Sequence, residues 1–240
     1  MSEEAPVNMP EKRGDIYVVG TDTGVGKTVL SLLLMQFFLA QGRRPFYLKP
    51  LQTGCLDASD DASDAAFVYR HVASLRGRDP AESVVYCFRN PKAPFFAARD
   101  EGREIDLAHL QAVAAEKSRL HEPLILEAAG GLLVPVRQQT LMVDTIGFTG
   151  ARVVLAARAG LGTINHTLLS VEALRARGLE PAGIVFLDAA GTAPDLMAEN
   201  MAAVEHCSGI SVAGAIGWID DFDHPPAEFF RPLEFLLTPS

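Results

Sequence analysis

The stretch Gly20-Thr21-Asp22-Thr23-Gly24-Val25-Gly26-Lys27-Thr28 sets three glycines, three hydroxyls and an ammonium between a short apolar run and a longer one. Glycines in such a turn let backbone N–H groups face inward around phosphate oxygens, and a helix starting there adds its positive N-terminal end. In that geometry Lys27 reaches the β- and γ-phosphates of a nucleotide, and the Thr28 hydroxyl ligates Mg²⁺. Thr23, Gly24, Val25, Gly26, Lys27, Thr28 and Val29 are therefore the expected nucleotide-binding residues of this loop. The generic motif places four residues between its first glycine and the Gly-Lys pair. Here five residues separate Gly20 from Gly26.

Three further groups bear on the same chemistry. In PLILEAAGG (123–131) an apolar strand ends in Glu127, followed by Ala128, Ala129, Gly130 and Gly131. A carboxylate at a strand end beside a phosphate loop is placed to hold Mg²⁺, and the small residues after it let backbone approach the phosphates. In DASDDASDAAF (57–67), Asp60, Asp61 and Asp64 precede a helical stretch. Each is read equally well as a helix cap or as a metal ligand; Asp64 is the metal candidate chosen. In FYLKPLQTG (46–54), Lys49 ends a second strand. A lysine buried there needs an anionic partner, and a surface lysine at a strand terminus is the local alternative.

These groups must be positioned by alternating elements. Strands are expected at 15–20, 45–49, 122–127, 152–157, 182–187 and 211–216, with a weaker one at 83–88, and helices at 26–41, 61–76, 106–120, 140–148, 164–177 and 194–206. Gly42 and Gly178 stand where helix C-terminal caps fall, and Pro181 and Pro194 follow as breakers. The alternation predicts an α/β fold with a parallel sheet covered by helices on both faces. Ligands of such sheets collect beyond the carboxyl ends of the strands, where every motif above lies. Residues 1–14 read as a loose leader and 15–240 as one domain.

Composition narrows the partners. The chain has 240 residues, is 48% hydrophobic and carries a net charge of −9, with no basic run, so nucleic acid is not an expected partner. Its N-terminus lacks the apolar core of a secretory signal, and no apolar run approaches the roughly 18 residues a membrane span needs. Cys55, Cys87 and Cys207 are scattered, without a CxxC pair, which reads as reduced thiols in a cytoplasmic protein.

Taken in order, GTDTGVGKT, KPLQTG, the SDAA segment, EAAGG and GTINHTLLSVEALRARGLEPAGIV span residues 20 to about 185. This pattern resembles the dethiobiotin synthetases, biotin-pathway ligases of the P-loop superfamily, and the five-residue gap is itself the spacing of that family. The resemblance implies a three-layer P-loop NTPase-like domain with a mostly parallel central sheet. It implies an Mg²⁺- and ATP-dependent cyclo-ligase acting on 7,8-diaminopelargonate and CO₂. One amine is carboxylated to a carbamate, whose oxygen attacks the γ-phosphate, and the second amine closes the cyclic urea and releases phosphate. Lys27 and Lys49 become the catalytic residues, with Lys49, Thr23 and Thr53 toward the carbamate. Thr28, Asp64 and Glu127 become the metal set. The family's active site lies at a homodimer interface, which gives Gly162, Thr163, Ile164 and Asn165 of the partner copy to the distal carboxylate of the substrate. A helix N-terminus suits a carboxylate for the same reasons that it suits a phosphate.

The match departs from the family near the base. Leu187 stands where an adenine-reading asparagine is common, with Asp188 next to it as the remaining hydrogen-bond acceptor, so the choice of nucleoside is open. Trp218 is read either beside the base or as a core tryptophan, and residues after Asp220 match poorly. Two other readings compete. Cobyrinic-acid-type amide ligases share the loop and an acidic EGAGG-like strand, but are expected to continue into a glutaminase domain. Partitioning-type switch ATPases carry a lysine early in the loop, where this chain has Gly20-Thr21-Asp22-Thr23.

Overall fold

The computed structural model describes residues 14–237, so all of the expected leader except Gly14 lies outside the described residues. Nine strands are present among them: β1 (Ile16–Gly20), β2 (Phe46–Thr53), β3 (Val84–Phe88), β4 (Leu124–Glu127), β5 (Pro135–Arg137), β6 (Thr140–Leu141), β7 (Arg152–Arg158), β8 (Pro181–Leu187) and β9 (Val212–Ile216). Seven of these form one sheet in the order β3-β2-β4-β1-β7-β8-β9, with every neighbouring pair parallel. The helices are α1 (Lys27–Ala40), α2 (Asp64–His71), α3 (Pro94–Asp100), α4 (Leu107–Leu120), α5 (Thr163–Arg175), α6 (Pro194–Ser208) and α7 (Arg231–Leu237).

Side-chain alternation along the strands divides the core in two. Ile16 and Val18 of β1 pack with Leu30, Leu33 and Met35 of α1, with Val68 of α2 and with Leu233 of α7. Tyr17 and Val19, pointing the other way, pack with Leu110 of α4, Val171 of α5 and Val204 of α6. This two-residue period on a sheet buried on both faces is what makes the architecture three-layered. Helix α1 is buried nearly all round, which accounts for its run of leucine and phenylalanine.

All seven strands expected from the sequence form the main sheet, but several bounds and elements differ. β2 runs on to Thr53, past Pro50, because after pairing Phe46–Leu48 with β4 it pairs Lys49–Thr53 with β3. The helix expected at 61–76 is shorter. The Asp60 carboxylate accepts from the N–H groups of Leu56 and Ala62, closing a turn before the helix, and Ser63 caps α2 by accepting from Ala66 N–H. The stretch 140–148, expected as a helix, is β6 followed by a 3₁₀ segment (Met142–Phe148), since β6 is recruited into a hairpin with β5. Helices α3 and α7 were not anticipated. α7 lies against β8 and β9, where a side chain at Gly183 would come within 2.3 Å of Leu236 and one at Gly214 within 3.1 Å of Pro232. Cys55 and Cys87, far apart in sequence, have their sulfurs 3.3 Å apart. No described helix is long and apolar enough to cross a membrane.

Candidate active site

β4 lies between β2 and β1, and its carboxyl end at Glu127 falls beside Lys49, in the middle of β2, and beside the glycine loop that follows β1. Lys49 lies one step beyond the Leu48–Leu126 pair, beside Glu127. Its ammonium is 2.6 Å from Glu127 Oε1 and 2.7 Å from Asp64 Oδ2, and it also donates to the Ala128 carbonyl at 3.2 Å. Lys49 is only 3% exposed. Burial opposes its charge, but Glu127 and Asp64 outweigh that effect and hold its pKa above the ordinary lysine value. The anionic partner that a buried Lys49 requires is therefore a pair of carboxylates of the same site. The surface-lysine alternative is excluded.

Asp64 is the member of the acidic cluster that the fold brings in. It is the first residue of α2, its N–H donates to Gln52 Oε1 at 3.1 Å, and burial works against its charge while Lys49 and Thr28 keep its carboxyl below the usual range. Asp61 instead pairs with Arg70 at 2.5 Å on the surface, and Asp60 is used by its own turn. Thr28 Oγ1 is 2.8 Å from Asp64 Oδ1 and 2.9 Å from Glu127 Oε1. A threonine hydroxyl has one hydrogen to give, so only one of these two carboxylates receives it at a time. Three hard oxygens thus converge at one point, the donor chemistry that suits a small divalent cation. Among the described residues, no group of three or more His, Cys, Asp or Glu side chains is arranged to hold a metal by itself.

The phosphate loop itself is held by glycine. Gly26 caps α1 with a φ of +94°, and a Cβ there would lie 2.7 Å from Leu187 Cγ. Leu187, in the place expected for a base-reading residue, therefore backs the loop. Gly24 also has a positive φ, +68°, but its Cβ would meet nothing within 4 Å. The two sites separate conformational strain from crowding. Gly24→Ala is expected to cost about 1 kcal/mol, and Gly26→Ala about 3 kcal/mol because overpacking is added to it. Thermal unfolding of the two variants side by side checks this; equal losses would show that Leu187 yields without cost. Gly130 and Gly131, expected to admit phosphate, abut the loop itself: Cβ atoms there would lie 3.4 Å from Thr23 Oγ1 and 3.7 Å from Asp22 Cα.

Lys27 curls over its own loop, donating to the Asp22 carbonyl at 2.8 Å. Burial, reinforced by the neighbouring Lys49 charge, pulls its pKa down to about 8. A cleft of about 290 Å³ opens in front of these groups, lined by Thr23, Lys27, Thr28, Lys49, Thr53 and Asp64 among others. A second pocket of about 430 Å³ shares Gly24 and Gly26 with it and adds Val25, Val29, Asp188 and Trp218. Trp218 is 66% exposed, so it lines this pocket and is not a core residue. The Asp188 carboxylate accepts both the N–H and the hydroxyl of Thr192, at 2.8 and 2.9 Å, which fixes the loop after β8. Ala129 and Gly130 line the cleft, whereas Ala128 does not: it is buried, with its N–H given to the Val18 carbonyl. Gly162, Thr163, Ile164 and Asn165 form the start of α5 and are absent from the lining of either pocket. Sequence reasoning missed Tyr47, whose hydroxyl donates to Glu127 Oε2 at 2.8 Å, and Gln52, which holds Asp64. The two-residue period of β2 puts Tyr47 on the same face as Lys49, a signal the sequence did carry.

A parallel sheet with a glycine-lysine-threonine loop at the end of its first strand, facing a carboxylate on a neighbouring strand, defines a P-loop nucleotide-dependent protein. The family pattern described as an AAA domain matches residues 14–226. The ParA family ATPase of Chlorobium tepidum TLS shares the fold, with a TM-score of 0.50 over 92% of this chain and 90% of its own, at 13% identity. Sequence similarity goes further. The ATP-dependent dethiobiotin synthetase BioD of Anaeromyxobacter dehalogenans is 43% identical over 71% of this chain and 74% of its own length. The biotin biosynthesis bifunctional protein BioCD of Bordetella avium is 42% identical over 87% of this chain, which spans 40% of that longer protein. The chain belongs to the family of ATP-dependent dethiobiotin synthetases.

Proposed function

We propose that this protein is a dethiobiotin synthetase, converting 7,8-diaminopelargonate, CO₂ and ATP to dethiobiotin, ADP and phosphate in the cytoplasm, with residues 15–240 as one ligase domain. The observation that carries the reading is the convergence of Lys27, Thr28, Lys49, Asp64 and Glu127 on one cleft, in a chain of this family. Diaminopelargonate has two amines. One takes up CO₂ as a carbamate, the carbamate oxygen attacks the γ-phosphorus and ADP leaves, and the second amine attacks the carbamate carbon and expels phosphate. The difficult event is the approach of one anion to another. Two ammonium groups, Lys27 and Lys49, and two carboxylates, Asp64 and Glu127, cancel in charge before any ligand is counted. The surplus positive charge therefore comes from loop N–H groups and from a divalent cation.

Mg²⁺ fits the oxygens of Thr28, Asp64 and Glu127, and when bound it offsets charge on the transferring phosphoryl group. Lys27 takes the triphosphate, and Lys49 and Thr53 hold the carbamate in line with it. Thr23, Gly24, Val25, Gly26, Val29, Ala129 and Gly130 enclose the phosphates, while Asp188 and Trp218 border the base. The distal carboxylate of the substrate is held by Gly162, Thr163, Ile164 and Asn165 of a second copy. Leu161, 98% exposed beside that helix start, and the exposed Leu169 are the kind of apolar surface a subunit contact covers.

Incubation with diaminopelargonate, bicarbonate and Mg²⁺ with each of several nucleoside triphosphates, followed by mass, is expected to yield dethiobiotin; its absence with every triphosphate overturns the reading. Sedimentation of the same preparation is expected to show a dimer.

A further inference from the structure

We propose that Tyr47 sets the metal selectivity of the site by leaving Glu127 a single oxygen for the cation. The two carboxylate oxygens of Glu127 have separate duties: Oε1 faces Thr28 and Lys49 at 2.9 and 2.6 Å, and Oε2 takes the Tyr47 hydroxyl at 2.8 Å. Glu127 and Tyr47 are both sealed from solvent, so no water competes for Oε2. Tyr47 is itself immobile. Its ring packs in the core between the sheet and α1, and its carbonyl accepts from Ser83 Oγ at 2.6 Å. Ser83 is in turn 2.8 Å from the Tyr69 hydroxyl. The phenol thus holds the carboxylate in one rotation, with one edge oxygen toward the cleft and the other turned into the protein.

That rotation matters because cations differ in what they accept. Mg²⁺ requires compact octahedral coordination and takes carboxylates through one oxygen, whereas Ca²⁺ is larger and readily takes both oxygens of a carboxylate. A carboxylate whose second oxygen is engaged by a buried hydroxyl favours the first ion over the second. With the hydroxyl removed, Glu127 is free to turn and present both oxygens, and Ca²⁺ gains. Tyr47 is in this sense a positioning residue that acts through Glu127.

The inference rests on the reading of Glu127 as a metal ligand, and the test keeps the two apart. Mg²⁺ and Ca²⁺ are titrated calorimetrically into the full chain saturated with the non-hydrolysable β,γ-imido analogue of ATP. The same titrations are run on Tyr47→Phe and on Tyr17→Phe, which loses a buried hydroxyl of β1 that lies 3.0 Å from Thr145, on the opposite face of the sheet from Tyr47. Phenylalanine fills either site with one atom fewer, and thermal unfolding verifies that both variants fold. The ratio of Mg²⁺ to Ca²⁺ affinity is expected to fall about tenfold in Tyr47→Phe, an effect of the size carried by one charge-assisted hydrogen bond, and to stay at the wild-type value in Tyr17→Phe. An unchanged ratio in Tyr47→Phe, or the same fall in both variants, overturns the role of Tyr47. A wild-type protein that takes up no Mg²⁺ beside the analogue overturns the ligand reading beneath it.

Discussion

Lys49→Met is expected to lower dethiobiotin formation by about 100- to 1,000-fold, while leaving affinity for the triphosphate within about threefold of wild type. The first figure follows from removing the cation that the proposed function assigns to the carbamate, since a single preorganised electrostatic partner of a developing charge contributes about 10²–10³ in rate. The second follows because Lys27, the loop and the oxygens of Thr28, Asp64 and Glu127 stay in place. The ion pairs add a consequence of their own. Without the ammonium, Glu127 is left buried with no counter-charge, and breaking a buried pair costs about 3 kcal/mol or more. For a chain of this size that lowers the unfolding temperature by roughly 10 °C. A divalent cation would take over the role of counter-ion, so Mg²⁺ should restore more stability to the variant than it adds to the wild type. Product by mass, nucleotide binding by calorimetry and unfolding with and without Mg²⁺ form the measurement. Unchanged turnover would reduce Lys49 to a counter-ion of the two carboxylates.

Lys27→Ala should act on the other half of the reaction, weakening triphosphate binding itself by about 100-fold, the value of a charge-assisted hydrogen bond in a buried site. The lowered pKa of Lys27, about 8, adds a pH dependence whose sign follows from linkage. Below pH 8 the free protein already carries the charged lysine, and binding is insensitive to pH. Above pH 8 the free lysine is neutral, the phosphates favour its charged form, and each binding event takes up a proton. Affinity should therefore fall as pH rises past about 8, by at most tenfold per pH unit. Lys27→Arg keeps its charge throughout this range and should flatten the profile, as should Lys27→Ala. Titration of the imido analogue at pH 7, 8 and 9 decides it. A wild-type affinity that does not change over that range would mean that Lys27 keeps its proton without nucleotide.

Much of the scaffold was legible because its cause is local. Short apolar runs set between helical stretches mark seven strands, and the loop 20–28 announces itself by glycine spacing. The misses have causes at a distance. α7 follows a segment with no strong periodicity and is held by the glycines of β8 and β9, which admit Leu236 and Pro232. The segment 140–148 carries enough apolar residues for a helix, yet Thr140 and Leu141 pair with β5. Asp60, Asp61 and Asp64 cannot be told apart from their own sequence. The choice among them is made by Gln52, Thr28 and Lys49, which approach from two other segments.

The amino-acid sequence alone determined that a phosphate cradle, a strand lysine and a strand-end glutamate exist, because each is written in a few consecutive residues, although Lys49 lies inside β2 and not at its end. Only the tertiary structure decided that lysine and glutamate neutralise one another, and that Tyr47 holds the far oxygen of Glu127. The physical reason is the strand order. Placing β4 between β2 and β1 brings Lys49, Glu127 and the glycine loop within bonding reach, and strand order is set by long-range packing and not by the composition of any one strand.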